Sequence, residues 1–165
     1  PQGEDGEIAI CGPQVMQGYW KKPEENKAVF REINGKRFFL TGDIGHMDKE
    51  GYFIITDRKK DLVLVGGFNV YPREVEDILF TNPKVAIAAV VGIPDNKGGE
   101  MVKAFIQLKP GEKATKEEIL DFCKENMAGY KRPKSVEFRD AIPVSNVGKV
   151  LRRVLRDEEI EKKKD

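Results

Sequence analysis

Asp57-Arg58-Lys59-Lys60-Asp61-Leu62-Val63-Leu64-Val65-Gly66-Gly67-Phe68-Asn69-Val70-Tyr71-Pro72-Arg73-Glu74-Val75-Glu76 is the stretch where the chain changes rhythm. A run of charge, Asp57 to Asp61, separates a strand at Tyr52 to Thr56 from another at Leu62 to Val65. Charge runs are ordinarily solvated turns. This one also reads as a boundary, because the residues after it are patterned differently from those before it. Leu62 and Leu64 alternate with Val63 and Val65, so that strand is buried on both sides or paired in a hairpin. Gly66-Gly67 then breaks the chain. Pro72 to Phe80 reads as a helix, with Val75, Ile78 and Leu79 on its core face.

Toward the C terminus, Val85 to Val91 is a continuous apolar run and the expected central strand. Pro94 to Gly99 reads as a loop, and Val102 to Leu108 alternates as the next strand. Thr115 and Glu118 form a capping box, in which hydroxyl and carboxylate satisfy exposed backbone amides. The helix it opens runs to about Met127, with Ile119, Leu120, Phe122 and Cys123 inward and Gly129 closing it. Val136 to Phe138 is a short strand. A last helix is expected to begin near Lys149 and to carry Val150, Leu151, Val154 and Leu155 on one stripe. Glu158 to Asp165 is almost all charge and is expected to fray. The order after residue 60 is β, α, β, β, α, β, α, a small α/β layer with its own core.

Toward the N terminus, Glu7 to Cys11 reads as a strand. Pro23 to Arg31 reads as a helix, with Pro23 in its first turn and Glu24 and Glu25 near its positive end. Asn34-Gly35 is a hairpin signal, followed by a strand at Arg37 to Thr41 and a Thr41-Gly42-Asp43 turn. This β-rich stretch is too short to close a sheet alone, and the chain opens on Pro1-Gln2-Gly3 without an initiator methionine. The expectation is therefore a C-terminal fragment of a larger enzyme. The expected fold class is α+β or α/β. Residues 1–59 would be the β-rich end of a large domain. Residues 60–165 would be a small domain with a mixed sheet and packed helices.

Composition excludes several function classes. The 165 residues carry 29 basic and 28 acidic side chains, a formal net charge of +1, so there is no electrostatic case for nucleic acid. Hydrophobic content of 39% and charged content of 35% suit a globular domain with a charge-rich surface. His46 is the only histidine, and Cys11 and Cys123 stand in no C-x-x-C, so neither a zinc site nor a histidine-dependent triad is expected. The two cysteines read as reduced thiols of a cytoplasmic protein. No apolar run approaches the ~20 residues of a membrane span.

Lys149 follows Gly148 in a polar turn, within Pro143-Val144-Ser145-Asn146-Val147-Gly148-Lys149-Val150-Leu151-Arg152. An ammonium so placed can reach into a site on another domain. Most lysines in turns do nothing of the kind, and the surrounding pattern decides. Asp43 is a strand-end carboxylate able to accept hydrogen bonds from ribose hydroxyls. Arg58 offers a guanidinium to hydroxyl or phosphate oxygens. Gly66 and Gly67 fit no phosphate-loop or dinucleotide fingerprint. They serve either a tight turn between strand and helix or close approach of a ligand to backbone.

Taken in order, Thr41-Gly42-Asp43, Asp57 to Glu76 and the P-x-x-x-x-G-K-x-x-R pattern of Pro143 to Arg152 resemble the adenylate-forming enzymes, which activate carboxylic acids with ATP. Met127-Ala128-Gly129-Tyr130-Lys131-Arg132-Pro133 is similar to a segment of the same family. Asp57 to Pro72 and Val136 to Asp157 look most like its long-chain fatty acyl-CoA ligases. The resemblance implies Lys149 as the catalytic lysine of adenylation and Asp43 and Arg58 as nucleotide-binding residues. It implies Lys60 as the hinge, and Gly66, Gly67 and Phe68 as lining a coenzyme A channel. It implies two steps: fatty acid and Mg-ATP give acyl-adenylate and pyrophosphate, then coenzyme A displaces AMP.

The phosphate loop, the magnesium ligand and the acyl pocket would lie outside these residues. The chain alone is thus expected to be inactive, with no metal ligand of its own. The implied partners are fatty acid, ATP and coenzyme A; peripheral membrane contact and a homodimeric parent stay open. Two rival readings remain. One is another adenylate-forming enzyme: an aryl or short-chain acyl-CoA ligase, a fatty acyl-AMP ligase or a peptide-synthetase activation domain. The other is an α/β interaction module without catalysis.

Overall fold

The computed structural model describes residues 2–95 and 98–162. The chain divides into two compact units, Pro1–Lys60 and Asp61–Asp165.

The first unit is organised on one long strand. β1 (Gly6–Ile10), α1 (Pro23–Val29), β2 (Phe30–Ile33), β3 (Lys36–Met47) and β4 (Phe53–Arg58) follow in order. β3 pairs antiparallel with the other three: Phe39 faces Ile10 and Phe30, and Gly45 faces Gly6 and Ile55. One strand serves three partners because it runs for 12 residues, against an expectation that it ends at Thr41. The expected Thr41-Gly42-Asp43 turn is instead a bulge within β3. The pairing slips between Glu7 and Ala9, and Gly42 takes a φ of 74°. The expected helix to Arg31 stops at Val29, since Phe30 joins the sheet as Asn34-Gly35 folds β2 back on β3. Phe30 packs on Phe39 with ring centroids 5.5 Å apart, and the Arg37 guanidinium lies 3.7 Å from its ring centre.

The second unit is a three-stranded sheet covered on both faces. Its elements are β5 (Val63–Val65), β6 (Phe68–Val70), α2 (Pro72–Phe80), β7 (Val85–Pro94), β8 (Glu100–Leu108), α3 (Lys116–Asn126), β9 (Ser135–Phe138) and α4 (Arg152–Lys162). The strand order is β7-β8-β9, with β7 antiparallel and β9 parallel to β8. The mixed sheet is as expected, but the central strand is β8 rather than the apolar run at Val85 to Val91. That run is apolar throughout because both faces of β7 are covered. Ala88 and Val90 join Val102, Ala104 and Ile106 under α2, α3 and the β5–β6 hairpin, while Ala89, Val91 and Ile93 join Phe105 and Leu155 under α4. β6 is the element missing from the expected order: Val63 pairs with Val70, so Gly66-Gly67 connects two strands, not a strand and a helix.

Local signals hold where the chemistry is local. α2 has the expected bounds, with Pro72 at its start. The Glu118 amide donates to Thr115 Oγ1 at 3.1 Å, one arm of the capping box. Gly129, however, opens a short 3₁₀ turn, and Met127 is the residue that caps α3.

The charged C-terminal segment does not fray as expected over its described part. α4 continues to Lys162, and it does so because its acids meet buried and half-buried cations. Lys103, buried on β8, donates to Glu159 at 2.5 Å and to Glu137 at 2.7 Å. Arg139 pairs with Glu158, and Lys162 with Glu159. Lys163 to Asp165, and Asn96 and Lys97 of the expected Pro94 to Gly99 loop, lie outside the described residues.

Burial pulls the Glu137 carboxyl upward, but the hydrogen-bonded Lys103, with Lys162 and Arg139 beside it, overrides this and holds it at about 2, below the ordinary 4.5. The lowered native value means the unfolded chain takes up the proton first. The stabilisation is complete above pH 4.5 and is lost as pH falls through about 2. Denaturant titrations of the protein and of Glu137→Gln should therefore differ at pH 6 and converge toward pH 2. A constant difference across that range would show that Glu137 does not titrate in this way.

Candidate functional site

Lys149 sits at the end of a small hairpin rather than in a helix. α4 begins only at Arg152. Val144 and Val150 form an antiparallel bridge, and the Leu151 amide donates to Pro143 O at 2.9 Å. Ser145 clamps the lysine backbone twice: its amide donates to Lys149 O at 2.7 Å, and its Oγ accepts from Lys149 N at 3.1 Å. Gly148, at a φ of 75°, closes the turn through its amide to Ser145 O at 2.9 Å. These bonds together hold the main chain. The Lys149 side chain is exposed, and no hydrogen bond or ion pair to its Nζ is present among the described residues. Only the flexible stem of the residue is left to move.

In the first unit, Asp43 and Arg58 face each other across β3 and β4, and Arg58 Nε lies 2.8 Å from Asp43 Oδ1. The Thr41-Gly42 bulge sets the carboxylate. Thr41 Oγ1 donates to Ile8 O at 3.0 Å and accepts from the Asp43 amide at 3.1 Å. Gly45 is needed two positions on, because a Cβ there would stand 2.2 Å from Ile54 O. Arg58 is half-exposed, so the pair contributes little to stability and keeps polar atoms available to a ligand. Asp43 borders an open groove of about 660 Å³ lined by Ile8, Ile10, Phe38, Phe53 and Ile55.

Gly66 and Gly67 form the two-residue turn between β5 and β6 with φ of 55° and 86°. Two consecutive positive φ angles are the requirement of a tight hairpin turn. A Cβ on either would meet nothing within 4 Å, so conformation alone demands glycine here. Phe68 follows, exposed and stacked on Tyr130 with centroids 4.8 Å apart. Lys60 lies in the 3₁₀ turn Lys59–Asp61, at the boundary between the two units.

Sequence reasoning missed Glu76. It lies on the buried face of α2 with Val75 and Leu79. Its Oε1 accepts from the Val90 amide at 2.8 Å, and both its oxygens accept from Arg152, at 3.0 and 2.5 Å. The signal was there: a carboxylate between Pro72, Val75 and Leu79 at core spacing needs a cation, and Arg152 belongs to the lysine pattern.

Among the described residues, no three His, Cys, Asp or Glu side chains come together as a metal site. No described helix is long and apolar enough to cross a membrane.

The Gly66-Gly67 turn makes a direct prediction. Gly67→Ala should destabilise the protein by about 1–2 kcal/mol, the cost of a side chain in left-handed backbone. Gly129→Ala should be nearly silent, since Gly129 is free of both crowding and positive φ. Chemical denaturation of the two variants checks the contrast.

Comparison with known proteins gives this geometry a context. Residues 74–149 match the model of the AMP-binding enzyme C-terminal domain. The chain is 51% identical over 158 residues to a long-chain-fatty-acid–CoA ligase of Bacillus subtilis, covering 96% of this chain and 28% of that protein. It is 43% identical over 156 residues to a feruloyl-CoA synthase of Amycolatopsis, covering 94% and 31%. ATP-bound MatB from Rhodopseudomonas palustris superposes with a TM-score of 0.88 at 40% identity, over 96% of this chain and 31% of that one. The chain spans under a third of the length of these curated relatives. Half of the aligned residues are identical to that Bacillus subtilis ligase over nearly the whole chain, and residues 74–149 match along most of the second unit, so the second unit belongs to the AMP-binding enzyme C-terminal domain family.

Proposed function

We propose that this chain is the C-terminal part of an ATP-dependent acid–thiol ligase that activates a long-chain fatty acid as its acyl-adenylate and passes the acyl group to coenzyme A. The observation that carries the reading is the mount of Lys149. Its backbone is fixed by Ser145 and the Val144–Val150 bridge, and its ammonium is presented to solvent. The 51% identity to a ligase named for long-chain fatty acids supports the substrate class.

In this reading, charge gathers on the α-phosphate as the carboxylate attacks ATP, and the Lys149 ammonium stabilises it and aligns the two reactants. Asp43 accepts hydrogen bonds from the ribose hydroxyls, and Arg58, already paired to Asp43, orients that carboxylate and reaches the nucleotide. Magnesium, bound by residues outside this chain, would offset phosphate charge. For the second half-reaction the domain turns at Lys60. The Gly66-Gly67 turn then meets the pantetheine arm, its lack of side chains leaving the backbone open to it. Cys11 and Cys123 are both free thiols, which suits a cytoplasmic enzyme. An aryl-acid ligase is the second reading, supported by the 43% identity to a feruloyl-CoA synthase.

Two measurements test the proposal. In the full-length enzyme, Lys149→Ala should slow acyl-adenylate formation by about 10²–10³-fold. Supplied acyl-adenylate should still become thioester at close to the normal rate. Adenylate formation at the wild-type rate would remove Lys149 from the mechanism. A panel of long-chain, short-chain and aromatic acids then decides substrate class: turnover of aromatic acids alone would replace the fatty-acid assignment with the second reading.

A further inference from the structure

We propose that Arg152 and Glu76 are a positioning pair for Lys149: their half-buried fork sets the placement of the lysine hairpin and thereby the rate of adenylation alone. The inference rests on the role given to Lys149 above.

Three observations carry it. First, Arg152 stands three residues after Lys149, immediately beyond the hairpin's base, where the Leu151 amide meets Pro143 O. The hairpin has no other covalent exit on that side, so its angle follows the angle at which α4 begins. Second, that start is held by a two-pronged guanidinium–carboxylate contact. Arg152 Nε and Nη2 donate to Glu76 Oε1 and Oε2 at 3.0 and 2.5 Å. Such a planar fork fixes direction as well as distance. Third, the acceptor cannot drift. Glu76 is 5% exposed, sits on the core face of α2, and accepts from the Val90 amide of β7 at 2.8 Å. Helix and sheet together aim the carboxylate, the carboxylate aims the arginine, and the arginine aims the hairpin.

Arg152 has a second anionic neighbour. Its Nη1 lies 3.6 Å from Asp61 Oδ2, and Asp61 directly follows Lys60. One guanidinium therefore ties the mount of the lysine both to α2, which follows the Gly66-Gly67 hairpin, and to the residue beside the proposed pivot. Displacing a reacting group by about 1 Å costs up to ~10²-fold in rate, so a fork of this kind is worth most at the step where Lys149 acts.

The test uses the full-length enzyme with the two half-reactions assayed separately, and combines Arg152→Gln and Glu76→Gln with Lys149→Ala. Each single variant should lower the adenylation kcat by about 10–100-fold with KM for ATP little changed. Conversion of supplied acyl-adenylate to thioester should stay near wild type. Arg152→Lys, which keeps the charge and loses the fork, should fall between wild type and Arg152→Gln, and it serves as the readable variant where Arg152→Gln does not fold. In the Lys149→Ala background, the Arg152 and Glu76 substitutions should cost nothing further.

An undiminished loss on top of a defective Lys149→Ala, or equal loss in both half-reactions, would overturn the positioning role and leave the Lys149 reading standing. A Lys149→Ala enzyme that forms adenylate normally would overturn both.

Discussion

A carboxylate cannot be buried alone. Removing Glu76 from water costs several kcal/mol unless a cation and further hydrogen bonds meet it, and the second unit meets that demand with Arg152 and the Val90 amide. Much of the unit depends on this contact. α2 must present its middle to β7, the chain must return after β9 to bring residue 152 there, and α4 must start at that point. Breaking such a pair by deleting one partner typically costs about 3–5 kcal/mol, because the survivor stays buried and charged. The same contact that fixes the fold thus fixes the place from which the Lys149 hairpin projects.

The opposite face of the sheet repeats the device. Lys103 lies on the central strand under α4, with its ammonium 4.9 Å from the Phe105 ring centre and its charge answered by Glu159 and Glu137. A leucine there would pack with less desolvation cost. A lysine discriminates: a slip of α4 that set Ile160 in the place of Glu159 would leave the cation facing an apolar side chain, so the buried charge helps specify the register of α4.

The elements legible in the sequence were those written in local chemistry. Pro72 and the apolar spacing of Val75 and Leu79 marked α2, and Thr115 with Glu118 marked the start of α3. What escaped depended on distant partners. β3 extends past Thr41 because β1 and β4 lie ready to pair with it. β6 is only three residues long and shows itself through the register with Val63. β8 rather than β7 is central because β9 returns parallel to it, a crossover no window of residues encodes. Charge misled at the C terminus, where the acids of α4 answer Lys103 and Arg139. The site divides in the same way. Lys149 and the Gly66-Gly67 turn stood out from their neighbours in sequence, and Asp43 and Arg58 from their motifs. The core spacing of Glu76 showed that it needs a cation, but its partner lies 76 positions away, and only the fold joins the two.

The pairing of Lys103 with Glu159 spans 56 positions. During synthesis the central strand leaves the ribosome well before the helix that neutralises it, at a pace of roughly 5–20 residues per second. For those seconds the sheet can gather its apolar face against α2 and α3, but the other face holds an ammonium with Glu137 as its first counter-charge. The hydrophobic cluster around Phe105 and Leu155 cannot close until the last helix arrives. Completion of the unit therefore waits for α4 to emerge, and the lysine hairpin, anchored at the threshold of that helix, takes its final place in the same step.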